Sequence, residues 1–208
     1  LLFTLLSLQK QVYVRFNIKI IINNAERNSV IKLFKRLDEN FTKKLKISNT
    51  FNPKLNDADF FLFLQPGQSL TAYALYEFSN AINQYNDSDL IYGDEDVKNI
   101  FGVRTKPFFK PGWSPDYLES INYINYPCCI SKNYAHNYYS SNLYDLLLRL
   151  TEHSKKIIHI EKILGHSKKN IFRLNFFTHK ESDVIALNAR LERTSRHGNA
   201  FFNESCPG

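Results

Sequence analysis

Residues 89–123 read DLIYGDEDVKNIFGVRTKPFFKPGWSPDYLESINY, and this stretch decides the fold assignment. A short apolar run at residues 90–92 predicts a strand, and Gly93 predicts a turn directly after it. The next three residues are carboxylates, which we call the carboxylate triplet: Asp94, Glu95 and Asp96. Ligands of α/β proteins collect at the ends of strands, so the triplet suits a divalent cation or the hydroxyl groups of a sugar. The simpler alternative is a solvated turn.

The loop that follows the triplet combines basic and aromatic side chains. It contains Lys110 and the only tryptophan, Trp113, within the run Lys-Pro-Gly-Trp-Ser-Pro. A lysine offers a point charge for phosphate, a carboxylate suits a metal ion, and an aromatic ring can cover the face of a sugar. The combination predicts a nucleotide-sugar site in which Lys110 and Trp113 bind the donor. The simpler alternative is a loop that Trp113 anchors on the core.

The order of these motifs resembles that of a known enzyme family. The chain has Tyr-Gly-Asp-Glu-Asp, then Lys-Pro-Phe-Phe-Lys-Pro-Gly-Trp-Ser-Pro-Asp-Tyr-Leu, then Asn-Tyr-Ile. This order resembles the family 2 glycosyltransferases, especially the rhamnosyltransferase-like branch, in which YxDED is followed by fKPdWspdlL and NYi. The resemblance implies an α/β protein of the GT-A fold, with a mainly parallel central sheet flanked by helices.

The resemblance also implies an activity. It is the inverting transfer of a sugar from a nucleotide-diphosphate sugar to a glycan or lipid-linked acceptor in surface polysaccharide synthesis. In such a reaction a carboxylate takes the acceptor proton, while Mn²⁺ or Mg²⁺ neutralises the leaving diphosphate. Asp94 and Asp96 are the expected catalytic and metal-binding carboxylates, because the triplet is the dense acidic group where a strand meets a ligand-binding loop.

The beginning of the chain matches the family's nucleotide-binding strand with one change. A helical stripe at residues 1–11 precedes a β-branched run at residues 18–22, which is followed by Asn23 and Asn24. The family has two aspartates here, and the first of them contacts the nucleotide base. An amide can still hydrogen-bond uracil or thymine, so we expect Asn23 and Asn24 to bind the nucleotide. Helix followed by strand also predicts a domain whose first strand is missing.

The largest departure from the family follows the apolar run FFLFL at residues 60–64, which reads as a central strand of a parallel sheet. The family places its metal-binding aspartates directly after this strand, whereas the matching residues here are Gln65, Gly67 and Gln68. A neutral amide is a poor ligand for Mn²⁺ or Mg²⁺ carrying a diphosphate, because hard cations prefer anionic oxygen. An active site in this chain would have to be rebuilt around the triplet.

A second catalytic position lies on a predicted helix at residues 143–152. The sequence YDLLLRLTE matches the family's qDydLllRlte, but the carboxylate expected as general base, two residues before Asp145, is Leu143. Either Asp145 takes the role of catalytic base, or the base is missing.

Two histidines follow on a predicted strand. His159 reads as a core histidine. His166 closes a segment that matches the family's LyH, and it is a candidate metal ligand with Asp94 and Asp96.

The chain divides into two predicted parts. Residues 1–170 form the glycosyltransferase-like domain, which is incomplete at its N-terminus. Residues 171–208 form a C-terminal helical extension that leads out of the domain, with a helix at residues 182–197 that ends at Gly198. We expect a fragment of a longer protein.

Composition limits the alternatives. The 208 residues carry a net charge of +7, and 43% of them are hydrophobic, which indicates a globular protein. Three cysteines form neither an even disulfide set nor a metal-ligand spacing, which predicts a reducing compartment. We therefore expect a cytoplasmic protein that contacts the inner face of the cell membrane, where lipid-linked acceptors lie.

An inactive GT-A sugar-binding or interaction domain is the main alternative to the glycosyltransferase. A basic nucleic-acid-binding domain ranks last, and no nucleic acid partner is expected.

Overall fold

The computed structural model describes residues 1–52, 57–99, 101–137, 140, 142–154, 156–168 and 181–201. Its helices in these ranges are α1 (Leu2–Gln9), α2 (Arg27–Phe34), α3 (Glu39–Thr42), α4 (Ala74–Gln84), α5 (Pro115–Ser120), α6 (Lys132–Asn137), α7 (Leu143–Thr151) and α8 (Glu181–Arg193). Its strands are β1 (Ile18–Ile21), β2 (Leu45–Ser48), β3 (Phe60–Leu62), β4 (Ser69–Leu70), β5 (Leu90–Lys98), β6 (Arg104–Phe108), β7 (Cys128–Ser131) and β8 (Ile157–Ser167).

A six-stranded sheet organises the described chain. Its strand order is β3–β7–β5–β8–β4, and β6 also pairs with β5. The β5–β8 pair is parallel, whereas β3–β7, β5–β7, β5–β6 and β4–β8 are antiparallel. A separate pair, β1 and β2, is parallel. The α/β class is therefore confirmed, but the central sheet is mixed rather than mainly parallel.

The strand predicted at FFLFL shows why the predicted direction of neighbouring strands was wrong. It forms β3, which lies at one end of the sheet, antiparallel to β7 and only half-buried. A continuous apolar run indicates that a strand is covered, but it does not specify the direction of the neighbouring strand. A central position in a parallel sheet is therefore corrected to an edge position in a mixed one.

The core lies on both faces of the sheet. Leu90 and Tyr92 pack into one apolar cluster and Ile91 into another, because successive side chains of a strand point to opposite faces. The helix α7 supplies much of the first cluster through Leu146, Leu147 and Leu150, as its helical spacing predicts. With both faces covered, β5 is buried along nearly its whole length.

Adjacent cysteines on β7 divide between the two faces. Cys128 packs into one cluster and Cys129 into the other, and both are buried free thiols. Burial raises the pKa of Cys128 to about 12. These two residues are small apolar members of the core, and Cys206 lies outside the described residues.

The predicted C-terminal helix is present as α8, and it packs against α7. Its Arg190 side chain is buried and donates hydrogen bonds to the backbone oxygen of Leu148 and to Thr151 Oγ1, at 2.6 and 2.9 Å. Residues 169–180 lie outside the described ranges, so the boundary between residues 170 and 171 stays a prediction. Within the described ranges, no helix combines the length and apolar character needed to cross a bilayer.

Candidate functional site

The carboxylate triplet lies inside β5 and not after it. The strand continues through Gly93, and its pairing with β8 shifts register on either side of Asp94. The predicted turn at Gly93 is therefore wrong, and a local irregularity of the ladder takes its place. Gly93 fits here because a Cβ atom would lie 2.6 Å from Leu164 Cδ1. All three carboxylates are consequently buried, with exposed fractions of 1–2%.

Asp94 bonds to two groups of the protein. The backbone N–H of Lys110 donates to Asp94 Oδ1 at 2.9 Å, and His159 Nε2 lies 2.8 Å from the same oxygen. The His159 ring stacks on Tyr92, with ring centres 4.8 Å apart. The carboxylate of Asp94 thereby fixes the loop that carries Lys110 and holds the His159 ring in place.

Glu95 pairs with Lys110 in the interior. The Lys110 side chain is fully buried, and its Nζ donates to the backbone oxygens of Ile124 and Tyr126 at 2.7 and 2.8 Å, with Glu95 Oε1 at 3.5 Å. Burial raises the pKa of Glu95 and lowers that of Lys110, and the attraction between the two groups opposes both shifts. The prediction that Lys110 binds phosphate is corrected, because its ammonium points into the protein and is engaged there by two backbone oxygens and the charge of Glu95.

Asp96 joins β6 to β8. Arg104 Nε donates to Asp96 Oδ2 at 2.6 Å, and His166 Nδ1 lies 2.5 Å from Oδ1. Burial lowers the pKa of His166, and the hydrogen bond to Asp96 opposes that shift. The sequence predicts Asp96 and His166 in one site, and the structure brings them into contact. Arg104 is a site residue that no motif indicated, although Asn99 and Gly102 form a turn pattern that places Arg104 opposite Lys98.

Residues 65–68 form a tight turn, which we call the amide turn. Gln68 N–H donates to the backbone oxygen of Gln65 at 3.1 Å, and Gly67 has a φ of +96°, a left-handed conformation that favours glycine. The backbone N–H of Gln65 donates to Gln68 Oε1 at 2.8 Å. This bond orients the Gln68 amide, so its Nε2 faces away from the turn. The side chain of Gln68 is buried.

A small cavity lies where the amide turn meets β5 and β8. It has a volume of about 10 Å³ and is lined by Gln68, Ser69, Glu95, His166 and Ser167 among others. Such a volume holds about one water-sized oxygen atom. Gln68 Nε2 and Glu95 Oε1 are buried and have no hydrogen-bond partner among the described residues. Gln68 of the amide turn, Glu95 of the triplet and His166 therefore converge at one cavity, although they lie on three separate segments.

The remaining predicted site residues lie on other elements. Asn23 and Asn24 follow β1 and are exposed. Asn23 caps a short 3₁₀ helix, Asn24–Glu26, and Asn24 Oδ1 accepts from Asn49 at 2.9 Å. Trp113 is partly buried against the core, which matches its simpler interpretation as a loop anchor.

Asp145 lies near the start of α7 and pairs with Arg149 at 2.9 Å. Its other oxygen, Oδ1, is buried and has no hydrogen-bond partner among the described residues. No hydrogen bond or ion pair within those residues joins Asp145 to the triplet. Its role as a base therefore stays a prediction.

The donor set of the converging segments is a poor fit for the Mn²⁺ or Mg²⁺ that the family implies, because Glu95 Oε1 is its one buried anionic oxygen without a hydrogen-bond partner among the described residues. Both oxygens of Asp96 already contact Arg104 and His166. The oxygen of Gln68 is engaged by backbone, so this side chain presents its N–H₂ group, which cannot ligate a cation. Hard cations need anionic or carbonyl oxygens that are free to coordinate.

The fold places the chain among α/β proteins of the GT-A type. A crystal structure of S. aureus TarS 1-349 has a TM-score of 0.56 and 13% identity, covering 92% of this chain and 66% of that one. A second S. aureus TarS structure has a TM-score of 0.56 and 12% identity, covering 92% of this chain and 40% of that one. At such low identity these likenesses concern the fold alone.

Two curated relatives match by sequence. The O-antigen biosynthesis protein RfbC of Myxococcus xanthus is 33% identical over 118 residues, which cover 53% of this chain and 9% of that protein. The uncharacterized protein y4gI of Sinorhizobium fredii is 32% identical over 100 residues, covering 44% of this chain and 11% of that protein. This chain thus spans about a tenth of the curated relatives that it matches. No protein-family model matches. These likenesses are consistent with a family 2 glycosyltransferase-like protein.

Proposed function

We propose that this chain is the donor-binding part of a glycosyltransferase that moves a sugar from a nucleotide-diphosphate sugar to a glycan or lipid-linked acceptor during surface polysaccharide synthesis. One observation carries the proposal: Gln68 of the amide turn, Glu95 of the triplet and His166 meet at one cavity, and His166 also contacts Asp96. These are the segments in which the family pattern places its donor chemistry. The likeness to an O-antigen biosynthesis protein supports the biosynthetic context.

The proposed roles of the site residues follow from their positions. Asn23 and Asn24 are exposed amides at the end of β1 and would hydrogen-bond the nucleotide base. Trp113 would border the sugar. Asp145 would take the acceptor proton, as the match of α7 to the family's qDydLllRlte implies. Asp94 and Asp96 would act by positioning His159 and His166, since their oxygens are engaged in the interior.

An inactive GT-A domain that binds a sugar nucleotide without cleaving it is the second candidate. The observation that favours it is the engagement of the triplet in ion pairs and hydrogen bonds of the protein itself. The two candidates share donor binding and differ in turnover.

The donor experiment separates these candidates. Calorimetric titration with a panel of uridine, thymidine and guanosine diphosphate sugars is expected to identify a donor that binds. Asp96→Asn should lower the affinity for that donor roughly tenfold or more, because Arg104 and His166 lose a charged partner. Glu77→Gln is the matched control, because it breaks a carboxylate pair with Lys162 on the outer surface and should leave binding unchanged.

Donor cleavage then decides between enzyme and binding domain. Release of the nucleoside diphosphate supports the glycosyltransferase, and it should be lost in Asp145→Asn. Binding without release, with or without added acceptor glycans, supports the inactive domain. Failure of every donor to bind would remove both candidates.

A further inference from the structure

The hairpin that β5 and β6 form extends away from the core at its closed end. The four successive residues from Arg104 to Pro107 are exposed. Because neighbouring side chains of a strand point to opposite faces, both faces of β6 meet solvent. The described residues of the turn, 99 and 101–103, are exposed as well. We call the described residues 98, 99 and 101–106 the basic hairpin.

The turn of the basic hairpin has a defined conformation. Asn99 Oδ1 accepts hydrogen bonds from the backbone N–H groups of Phe101 and Val103, both at 2.9 Å. The N–H of Asn99 donates to the backbone oxygen of Val103 at 3.0 Å. Gly102 has a φ of +83°, which favours glycine. The turn thus fixes the backbone that carries Phe101 and Val103.

These two apolar side chains lie in solvent at the end of the basic hairpin. The side chain of Phe101 is 84% exposed, more than any other large hydrophobic side chain of the described residues, and that of Val103 is 53% exposed. Single exposed apolar residues are common on protein surfaces, but two that flank one glycine on a fixed turn form a small apolar tip.

Positive charge surrounds the apolar tip. Lys98 and Arg104 are direct partners in the β5–β6 ladder, so two cations face each other behind the turn, and like charges in such positions destabilise the pair. Arg104 pairs with Asp96, whereas Lys98 and Lys106 have no ion pair with a described residue. Residues 97–115 contain no Asp or Glu. An anionic surface would offset the repulsion within the hairpin.

The combination of an apolar tip and unopposed lysines favours a lipid surface over other partners. Lysine is depleted in the core of protein–protein interfaces, and stacking sites for single-stranded nucleic acid lie in basic grooves rather than on a projecting turn. A membrane surface accepts both features, because apolar side chains enter the boundary between headgroups and acyl chains while cations contact anionic headgroups.

We propose that the basic hairpin binds this chain to a membrane surface that contains anionic lipids. Phe101 and Val103 enter the boundary between headgroups and acyl chains, and Lys98, Arg104 and Lys106 contact the headgroups. The inference goes beyond the proposed function, because lipid binding does not depend on sugar transfer. It gives the membrane contact a location, which the net charge of the chain does not.

The test is sedimentation of the chain with lipid vesicles. Vesicles of equal parts phosphatidylcholine and phosphatidylglycerol should retain the chain, and vesicles of phosphatidylcholine alone should retain it less. Retention on the anionic vesicles should fall as salt is added. Lys98→Gln combined with Lys106→Gln should lower the partition coefficient roughly 10–30-fold. Phe101→Ser should lower it roughly tenfold.

Two matched controls remove the same groups elsewhere. Lys32→Gln combined with Lys35→Gln takes the same charge from exposed positions at the end of α2. Phe201→Ser removes a phenylalanine that is 79% exposed. Both controls should leave the partition coefficient unchanged. As a readout of position, the fluorescence of Phe101→Trp should be quenched by brominated lipids more strongly than that of Phe201→Trp.

Three results would overturn the assignment of a lipid surface. One is failure of the anionic vesicles to retain the chain, or equal loss in the hairpin variants and their controls. Another is tighter binding to single-stranded DNA at the same salt concentration, weakened by the same hairpin variants. The third is self-association of the chain without vesicles that Phe101→Ser abolishes, which would identify a second copy as the partner. Donor binding is measured separately by calorimetry, so the proposed function stands or falls on its own.

Discussion

Lys110→Met is expected to lower the free energy of unfolding by about 3–5 kcal/mol, the cost typical of breaking a buried ion pair. The substitution removes an ammonium that is fully buried and bonded to the backbone oxygens of Ile124 and Tyr126. It leaves Glu95 without its buried counter-charge and both carbonyls without a donor. Urea unfolding followed by tyrosine and tryptophan fluorescence measures the loss.

Two further variants make this result interpretable. Combining Lys110→Met with Glu95→Gln should recover part of the stability, because the buried charge is removed together with its partner. Lys162→Met, which breaks a surface pair with Glu77, should change the free energy by less than about 1 kcal/mol. An unfolding midpoint of Lys110→Met equal to that of the parent chain would contradict the buried position of this lysine.

Arg190→Met is expected to cost about 2–3 kcal/mol of unfolding free energy. The buried guanidinium holds α8 on α7 through Leu148 and Thr151 and bonds to Glu119 on α5. Its removal leaves a buried carbonyl and a hydroxyl without their donor. The same urea experiment applies.

Arg196→Met is the matched control for Arg190. It pairs with the same Glu119, but its side chain is 44% exposed, so its loss should cost less than about 1 kcal/mol. Equal effects of the two substitutions would contradict the docking of α8, and would favour the predicted extension that leads out of the domain.

The sequence predicted the fold class because its signals there are local. Helical patterns located α1, α7 and α8, and a β-branched run located β1. Strand direction was not predictable in this way, because pairing joins segments that are distant in the chain. The antiparallel partners of β5 are an example: one is β7, reached only after an intervening hairpin and helix.

The candidate site was predicted in composition but not in geometry. Asp94 and Asp96 were identified from the motif, yet their burial depends on both faces of β5 being covered, which no local pattern shows. The contact between Asp96 and His166 spans 70 residues of sequence. Lys110 resembled a phosphate ligand because a lysine in a Pro-rich loop is usually exposed. In the fold its ammonium is buried, where the backbone oxygens of Ile124 and Tyr126 and the Glu95 carboxylate surround it.

The polarity of Gln68 is the clearest case of information that only the fold supplies. From sequence, an amide is equally a donor and an acceptor, so a glutamine in place of aspartate reads as a weak metal ligand. The hydrogen bond from the backbone of Gln65 selects one of the two orientations. That selection leaves Nε2, a hydrogen-bond donor, as the group without a partner among the described residues.

The most direct test of the central claim is the carbon-13 and proton NMR spectrum of the histidine rings during titration with the donor that calorimetry identifies. The donor is proposed to bind where Gln68 of the amide turn, Glu95 of the triplet and His166 meet. Resonances of His166 should therefore shift in proportion to occupancy, while those of His153, which lies after α7, should not move. A donor that shifts His153 and leaves His166 unchanged would contradict the site.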